Sequence, residues 1–436
     1  MSKVQKYLAG ILVICVVFFG FIVVRVSGAS TIDNVKVQKI STENNADLGK
    51  DAYKDAYPKQ YNSFMKNNMG GPSPTGYGGS DAGVSILEQE PEMMTLWKGY
   101  AFTLQYDVPR GHTYAGEDIL NSKRVTQKKQ KGSCITCKTA YSGEFFYKES
   151  GWAYAAKPFE EIAGQIPADG WFGCGTCHDP ETMQLRIMQP AFIEAMAAKG
   201  IDVNNAPHND MRAYACGQCH VEYYFAKEDG HVVLPWSVGF TPEEIFQHYQ
   251  NGDSKGFTGD WLQPDSKTMM LKAQHPDFEI WISSAHADAG VTCVDCHMPF
   301  IREDGVKYTS HHMTSPLKYV EEACQKCHSD QTAEQLTARV KTIHDNTFKV
   351  QRLAGQACVQ AHQAIAAALA AGATDEQLAT PRLQLRQAQY YWDLISAENG
   401  VGFHNPDLCL KTLGESIDLA HKAIEGANAA VKGSLI

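Results

Sequence analysis

Ten of the thirteen cysteines fall into five C-x-x-C pairs, at 134/137, 174/177, 216/219, 293/296 and 324/327. Four of the pairs run directly into histidine, in CGTCH, CGQCH, CVDCH and CQKCH, and the first runs into lysine, in CITCK. A zinc ribbon also uses C-x-x-C, but it joins two pairs in one site and needs no adjacent histidine. C-x-x-C-H has another chemistry: two thiols bond the edge of a porphyrin and the neighbouring imidazole reaches its iron. The pattern predicts covalent c-type haems at Cys174/Cys177, Cys216/Cys219, Cys293/Cys296 and Cys324/Cys327, with His178, His220, His297 and His328 as the iron ligands on the attachment side.

CITCK takes its meaning from those four sites. Alone it would read as a surface C-x-x-C with a lysine behind it. Beside them, Cys134 and Cys137 predict a fifth haem with Lys138 as its axial donor. An amine binds a metal only as the neutral base, so Lys138 gives up its proton on coordination. A different donor on one side, with the opposite side left open, is what makes a catalyst of an electron carrier. Haems that only carry electrons use two protein ligands each, so further histidines are required. Local context singles out His112, His286, His311, His312 and His404, whereas His208, His231, His248, His344, His362 and His421 read as ordinary surface or packed imidazoles. Cys15, Cys358 and Cys409 stand outside the pairs and read as structural or inert.

The rest of the chain must position these groups. It has 436 residues, 44% hydrophobic and 20% charged, the composition of an ordinary globular protein. Its formal net charge of -10, with no basic tract beyond KRVTQKKQK at 123 to 131, excludes a nucleic-acid partner. Lys3 and Lys6 precede an apolar run from Leu8 to Val24 and the small residues up to Ala29, which predicts a signal peptide or membrane anchor over 1–29. That places the remainder in the periplasm or on the outer face of the cytoplasmic membrane. Up to about residue 330 the motifs sit among Gly- and Pro-rich connections such as GGPSPTGYGG, with little periodicity. Beyond it, helical spacing (Leu336, Val340, Ile343; then Leu383, Leu385, Ala388) predicts long helices over about 330–371, from Asp375 to about Asn399, and from Asn405-Pro406 onward. The expected fold is mainly α, with a haem-packed part over 30–330 and a long-helix region over 331–436.

The order of RGH, CITCK, CGQCHVEYYF, LKAQHPDFE, CVDCHMP and CQKCH resembles that of the pentahaem cytochrome c nitrite reductases of the ammonia-forming type, from about Leu96 to Ile436. The resemblance implies six-electron reduction of nitrite to ammonium at the haem of Lys138, fed by four bis-histidine haems. It implies distal ligands: His311 for the haem at Cys174, His112 for that at Cys216, His404 for that at Cys293 and His286 for that at Cys324. His311 is preferred to His312 because the family places this ligand five residues before a proline, here Pro316. Arg124, Tyr223 and His275 would line the open face, with Arg110 the alternative arginine. A guanidinium and a protonatable imidazole there would attract an anion and supply protons. The resemblance further implies one calcium ion held by Glu222, the main-chain oxygens of Tyr223 and Lys272, and Gln274, an all-oxygen set that suits a hard cation. It implies a homodimer through the long helices, and as electron donor a membrane quinol-oxidising cytochrome or a soluble multihaem carrier. Two rival readings are a pure electron-transfer cytochrome, which would lack an open iron, and a hydroxylamine oxidoreductase, which would carry more attachment sites.

Overall fold

Up to residue 330 only short elements form. In the computed structural model, which describes residues 48–148, 151–251 and 256–434, the helices of eight or more residues in this part are α1 (Pro58–Met65), α2 (Pro190–Ala198), α3 (His208–Gly217) and α4 (Pro242–Gln250). The segment expected to direct export, with Cys15, lies outside the described residues. Four antiparallel two-stranded ribbons accompany the helices: β1 (Gly71–Pro72) with β2 (Gly79–Ser80), β3 (Tyr224–Phe225) with β4 (Val232–Val233), β5 (Trp261–Leu262) with β6 (Met269–Met270), and β7 (Phe300–Glu303) with β8 (Val306–Thr309). Helices this short do not hold themselves in water and depend on what they pack against.

Three long helices follow: α5 (Ala333–Ala370), α6 (Ala379–Ala397) and α7 (Pro406–Ser434). Thr332 starts α5 with a reciprocal cap, its Oγ1 accepting from Gln335 N while Gln335 Oε1 accepts from Thr332 N. Asn405 caps α7 by accepting from Leu408 N at 3.2 Å, with Pro406 as the first helical residue. The middle helix begins four residues later than the spacing suggests. Pro381 has no N–H and its ring would strike the carbonyl four residues back, so it is tolerated only in a first turn; residues 375–378 form a separate turn.

The three helices pack on one another through small side chains. Ala354, Ala361 and Ala368 of α5, Ala388 of α6 and Ala420, Ala423 and Ala427 of α7 are all fully buried or nearly so, which lets the axes approach closely. Leu336, Val340 and Leu385 are buried as expected, whereas Leu383 is 47% exposed. Two residues before Leu385, it lies about 200° round the helix and faces water.

This core continues across residue 330. Trp392 meets Trp97 at 6.1 Å between ring centres, and Lys272 Nζ pairs with Asp393 Oδ1 at 2.7 Å, both side chains almost fully buried. The remaining Asp393 oxygen accepts from Ala273 N at 3.0 Å, so the buried charges are satisfied as a set. A second cluster, built around Phe192, Trp236, Phe278 and Trp152, lies behind CITCK and CGQCH.

Candidate haem-binding and catalytic site

A single connected cavity of about 2270 Å³ runs through the part before residue 330 and reaches the long helices. That exceeds twice the ~300–1,000 Å³ of a site for one small molecule. All ten cysteines of the C-x-x-C pairs line it, and none of them is in a disulfide. The local turns explain how each motif faces it. In CGTCH, CGQCH and CQKCH the histidine N–H donates to the carbonyl of the first cysteine, at 2.9, 3.0 and 3.0 Å, and CVDCH is a helical turn over Cys293–His297. One such turn puts both thiols and the imidazole on the same side. CITCK is wound more tightly, with Lys138 N donating to Ile135 O at 2.8 Å.

Four pairs of imidazoles face each other across this space. Ring centres are 6.0 Å apart for His112 and His220, 6.1 Å for His178 and His311, 6.1 Å for His297 and His404, and 6.3 Å for His286 and His328. Two imidazoles that share one metal, each with its nitrogen about 2 Å from it, have centres about 6 Å apart. The rings present therefore fit a bis-histidine haem at each C-x-x-C-H site, in the pairing that the resemblance implies. Five of the eight rings are also held by Nδ1: His178 by Met183 O at 2.9 Å, His297 by Thr314 O at 3.0 Å, His311 by Thr309 O at 2.9 Å, His220 by Asp277 Oδ2 at 2.8 Å, and His404 by Glu398 Oε1. Carbonyl and carboxylate oxygens only accept, so Nδ1 carries the proton and Nε2 is left with its lone pair for a metal. His312 goes elsewhere: it is buried, with Nδ1 on the Tyr319 hydroxyl at 3.0 Å.

Backbone freedom at two glycines sets this geometry. Gly111, in RGH, has φ +107°, and its Cα packs where a Cβ would stand 3.1 Å from Asn67 O. A Cβ on Gly217, in CGQCH, would stand 2.7 Å from the Phe278 ring. That close approach, with Phe278 N donating to His220 O at 3.0 Å, brings Asp277 against the His220 ring.

The sites touch one another. Cys137 and Cys219 share a hydrogen bond between thiols, as do Cys216 and Cys293. The site at Cys216/Cys219 is thus the junction between the lysine-bearing site and the site at Cys293/Cys296.

Arg124, Lys138, Tyr223 and His275 line the cavity beside Cys134 and Cys137. Arg124 is half-buried, its guanidinium 4.2 Å over the Phe102 ring and its Nε 3.3 Å from Ser122 Oγ, and no carboxylate pairs with it among the described residues. Arg110 is engaged by Asp118 and Glu117, at 2.5 and 2.9 Å, so its charge is already met. Burial holds the Tyr223 phenol well above its usual range, which keeps its proton in place as a donor. His275 stacks on His220 with ring centres 4.2 Å apart.

Glu222 is fully buried beside this site. Its Oε2 accepts from Gln274 N at 2.5 Å and its Oε1 from the hydroxyls of Tyr390 and Tyr249, at 3.1 and 3.3 Å. The Gln274 side-chain amide sits 3.1 Å from Lys272 O, so the Glu, Gln and main-chain oxygens expected to hold calcium do converge. Burial pushes the Glu222 carboxyl up to about 8, and Glu279 nearby keeps a buried carboxylate oxygen without a protein partner. Carboxyl groups held back from ionising in this way fit a hard cation, which would favour their charged form.

Sequence reasoning passed over three residues at this centre: Asp277, Glu398 and Asn399. Asp277, two places after His275, carried a usable signal, since imidazoles at metals commonly lean on a carboxylate. Glu398 and Asn399, in the loop between α6 and α7, carried none.

Ten thiols and eight facing imidazoles around one void define a multihaem c-type cytochrome. The family model of cytochrome c552 matches residues 49–433, and the chain belongs to that family. It is 40% identical over 414 residues to the cytochrome c nitrite reductase subunit NrfA of Nitratidesulfovibrio vulgaris Hildenborough, an alignment covering 86% of this chain and 77% of that one. It is 35% identical to a cytochrome c-552 of Bacteroides fragilis, over 92% and 80% of the two chains. Among solved structures it is similar to the cytochrome c nitrite reductase of Desulfovibrio desulfuricans, whose catalytic subunit is described with two calcium sites. The TM-score is 0.82 at 35% identity, covering 89% of this chain and 87% of that one.

Proposed function

We propose that this chain reduces nitrite to ammonium at the lysine-bearing site, with electrons passed in from the four bis-histidine sites. The observation that carries the reading is the asymmetry of the cavity: eight imidazoles pair across four attachment sites, whereas the fifth has Lys138 with Arg124, Tyr223 and His275 around it. When bound, the haem groups supply the electrons and, at Lys138, an iron with a free position. The protein supplies the rest. The unpaired Arg124 guanidinium draws in an anion and orients it. Tyr223 donates through its hydroxyl, and His275 takes up and passes on protons at Nε2 as the N–O bonds break. Reduction to ammonium consumes six electrons and eight protons, so a proton-handling residue beside the site is as necessary as the electron path.

In this reading Cys134 and Cys137 hold the catalytic haem and Lys138 ligates it, while His178 with His311, His220 with His112, His297 with His404, and His328 with His286 ligate the others. One calcium ion sits on Glu222, Gln274 and the main-chain oxygens of Tyr223 and Lys272. Residues 30–330 form the pentahaem catalytic part, and 331–436 contribute His404 and a homodimer face. Export through the N-terminal segment and delivery of electrons by a membrane quinol-oxidising or soluble multihaem cytochrome complete the proposal. Among the described residues no helix is long and apolar enough to cross a membrane. The test is haem count per chain together with nitrite-dependent ammonium production by the purified protein. Five haems with ammonium are expected; five haems without it would make the chain an electron carrier.

A further inference from the structure

Asn399 lies in the loop joining α6 to α7, and its side-chain amide can be oriented without ambiguity. The atom 2.7 Å from Asp277 Oδ2 must be nitrogen, because a carboxylate only accepts. The same nitrogen lies 2.6 Å from His275 Nε2, so that ring atom accepts and the ring proton sits on Nδ1, toward Cys219 O at 3.4 Å. The Asn399 main-chain N–H donates to the other oxygen of Asp277 at 2.7 Å. Asp277 is buried, and its Oδ2 also accepts from His220 Nδ1 at 2.8 Å. One asparagine therefore grips both oxygens of the carboxylate behind His220 and the outer nitrogen of His275.

The His275 ring needs such a grip. Its side chain is 35% exposed to the cavity, and its bond to Cys219 O is long, so neither burial nor that bond fixes the ring angle. We propose that Asn399 is a positioning residue for nitrite reduction, one that locks the His275 ring and the His220 ring to the single carboxylate of Asp277. The geometry makes the lysine-bearing site and the junction site mechanically one unit, joined by a residue from the long-helix region. The inference rests on the reading that His275 acts at the lysine-bearing site.

In the pentahaem holoenzyme, Asn399→Ala should lower the nitrite turnover number about 10- to 100-fold, the scale of a ring displaced by an ångström or less. Haem count and melting temperature should stay near wild type. Asn399→Ser, which keeps a short donor, should recover part of the loss. In a His275→Asn background, adding Asn399→Ala should cost little more, because the ring it positions is already gone. A second readout is the midpoint potential of the haem at Cys216. With two donors removed, Asp277 pulls harder on the His220 Nδ1 proton, which makes the imidazole more anionic and should lower the potential. Unchanged turnover in Asn399→Ala, additive losses in the double variant, or a loss that tracks haem or melting temperature would each overturn the inference while leaving the functional reading intact. A wild-type holoenzyme that makes no ammonium would remove both.

Discussion

The chain before residue 330 and the three helices after it are stabilised by different things. In α5, α6 and α7 the core is written in the chain itself: alanines and leucines recur at helical spacing and meet each other. Before residue 330 the longest helix, α3, has only ten residues, and the centre of that part is a cavity lined by thiols and imidazoles. There the packing partner is a prosthetic group, so attachment points and ligands replace apolar periodicity. What looks like weak patterning in a sequence can mark a core supplied from outside.

Substitutions should then sort by region, those at the site changing chemistry and those in the bundle changing stability. The largest effect is expected at His275. His275→Asn should cut nitrite turnover by about 10² to 10⁴, the range of a lost general acid–base group, with melting temperature unmoved; a variant that melts early instead would blur the division. Trp392→Ala should do the reverse. Trp392 is fully buried against Trp97 and beside Gly355, and its truncation should cost about 3–5 kcal/mol in calorimetry while leaving the KM for nitrite unchanged. Lys138→His turns CITCK into an ordinary attachment motif, so all five haems should remain, but turnover should fall at least about tenfold because the donor to the iron changes from amine to imidazole. Equal turnover would leave the lysine as a mark of how that haem is attached, with no part in the chemistry. The smallest effect is expected at Glu222. Glu222→Ala should reduce activity several-fold, within the ~10–100-fold span of lost supporting contacts, with five haems retained and calcium lost by elemental analysis; full activity in calcium-depleted protein would sink that site.

Legibility followed distance along the chain. The cysteine pairs, Lys138 and the four proximal histidines were readable because each motif is one turn of backbone, and the long helices because apolar spacing and the cap at Asn405-Pro406 are local signals. Distal partners were not readable from local pattern. His311 and His312 are adjacent and chemically identical, and what separates them is tertiary: Ser63 Oγ and Asn67 Nδ2 hold the His311 main chain, at 2.9 and 2.8 Å, while Tyr319 takes the His312 ring. Only the order of motifs in a known family pointed to His311. The late start of α6 was legible in Pro381, whose steric demand outweighs the good helix formers before it. Asn399 was illegible, since an asparagine at a helix end is ordinary and its partners lie 122 and 124 residues away.

The pairing of His297 with His404, and of His178 with His311, bears on how the chain reaches its native form. Attachment-side ligands are present as soon as a motif leaves the export channel, but the facing imidazole of each of these pairs arrives more than a hundred residues later. Closing a loop of that length costs conformational entropy that grows only slowly with further length. Once closed, each pair acts as a long-range cross-link that constrains the unfolded ensemble, as a disulfide would. Second-ligand binding is therefore a clock for folding: a newly attached haem should switch from a weak exogenous ligand to histidine only as tertiary structure forms, and the haem at Cys293 must wait for the loop beyond α6 to be synthesised.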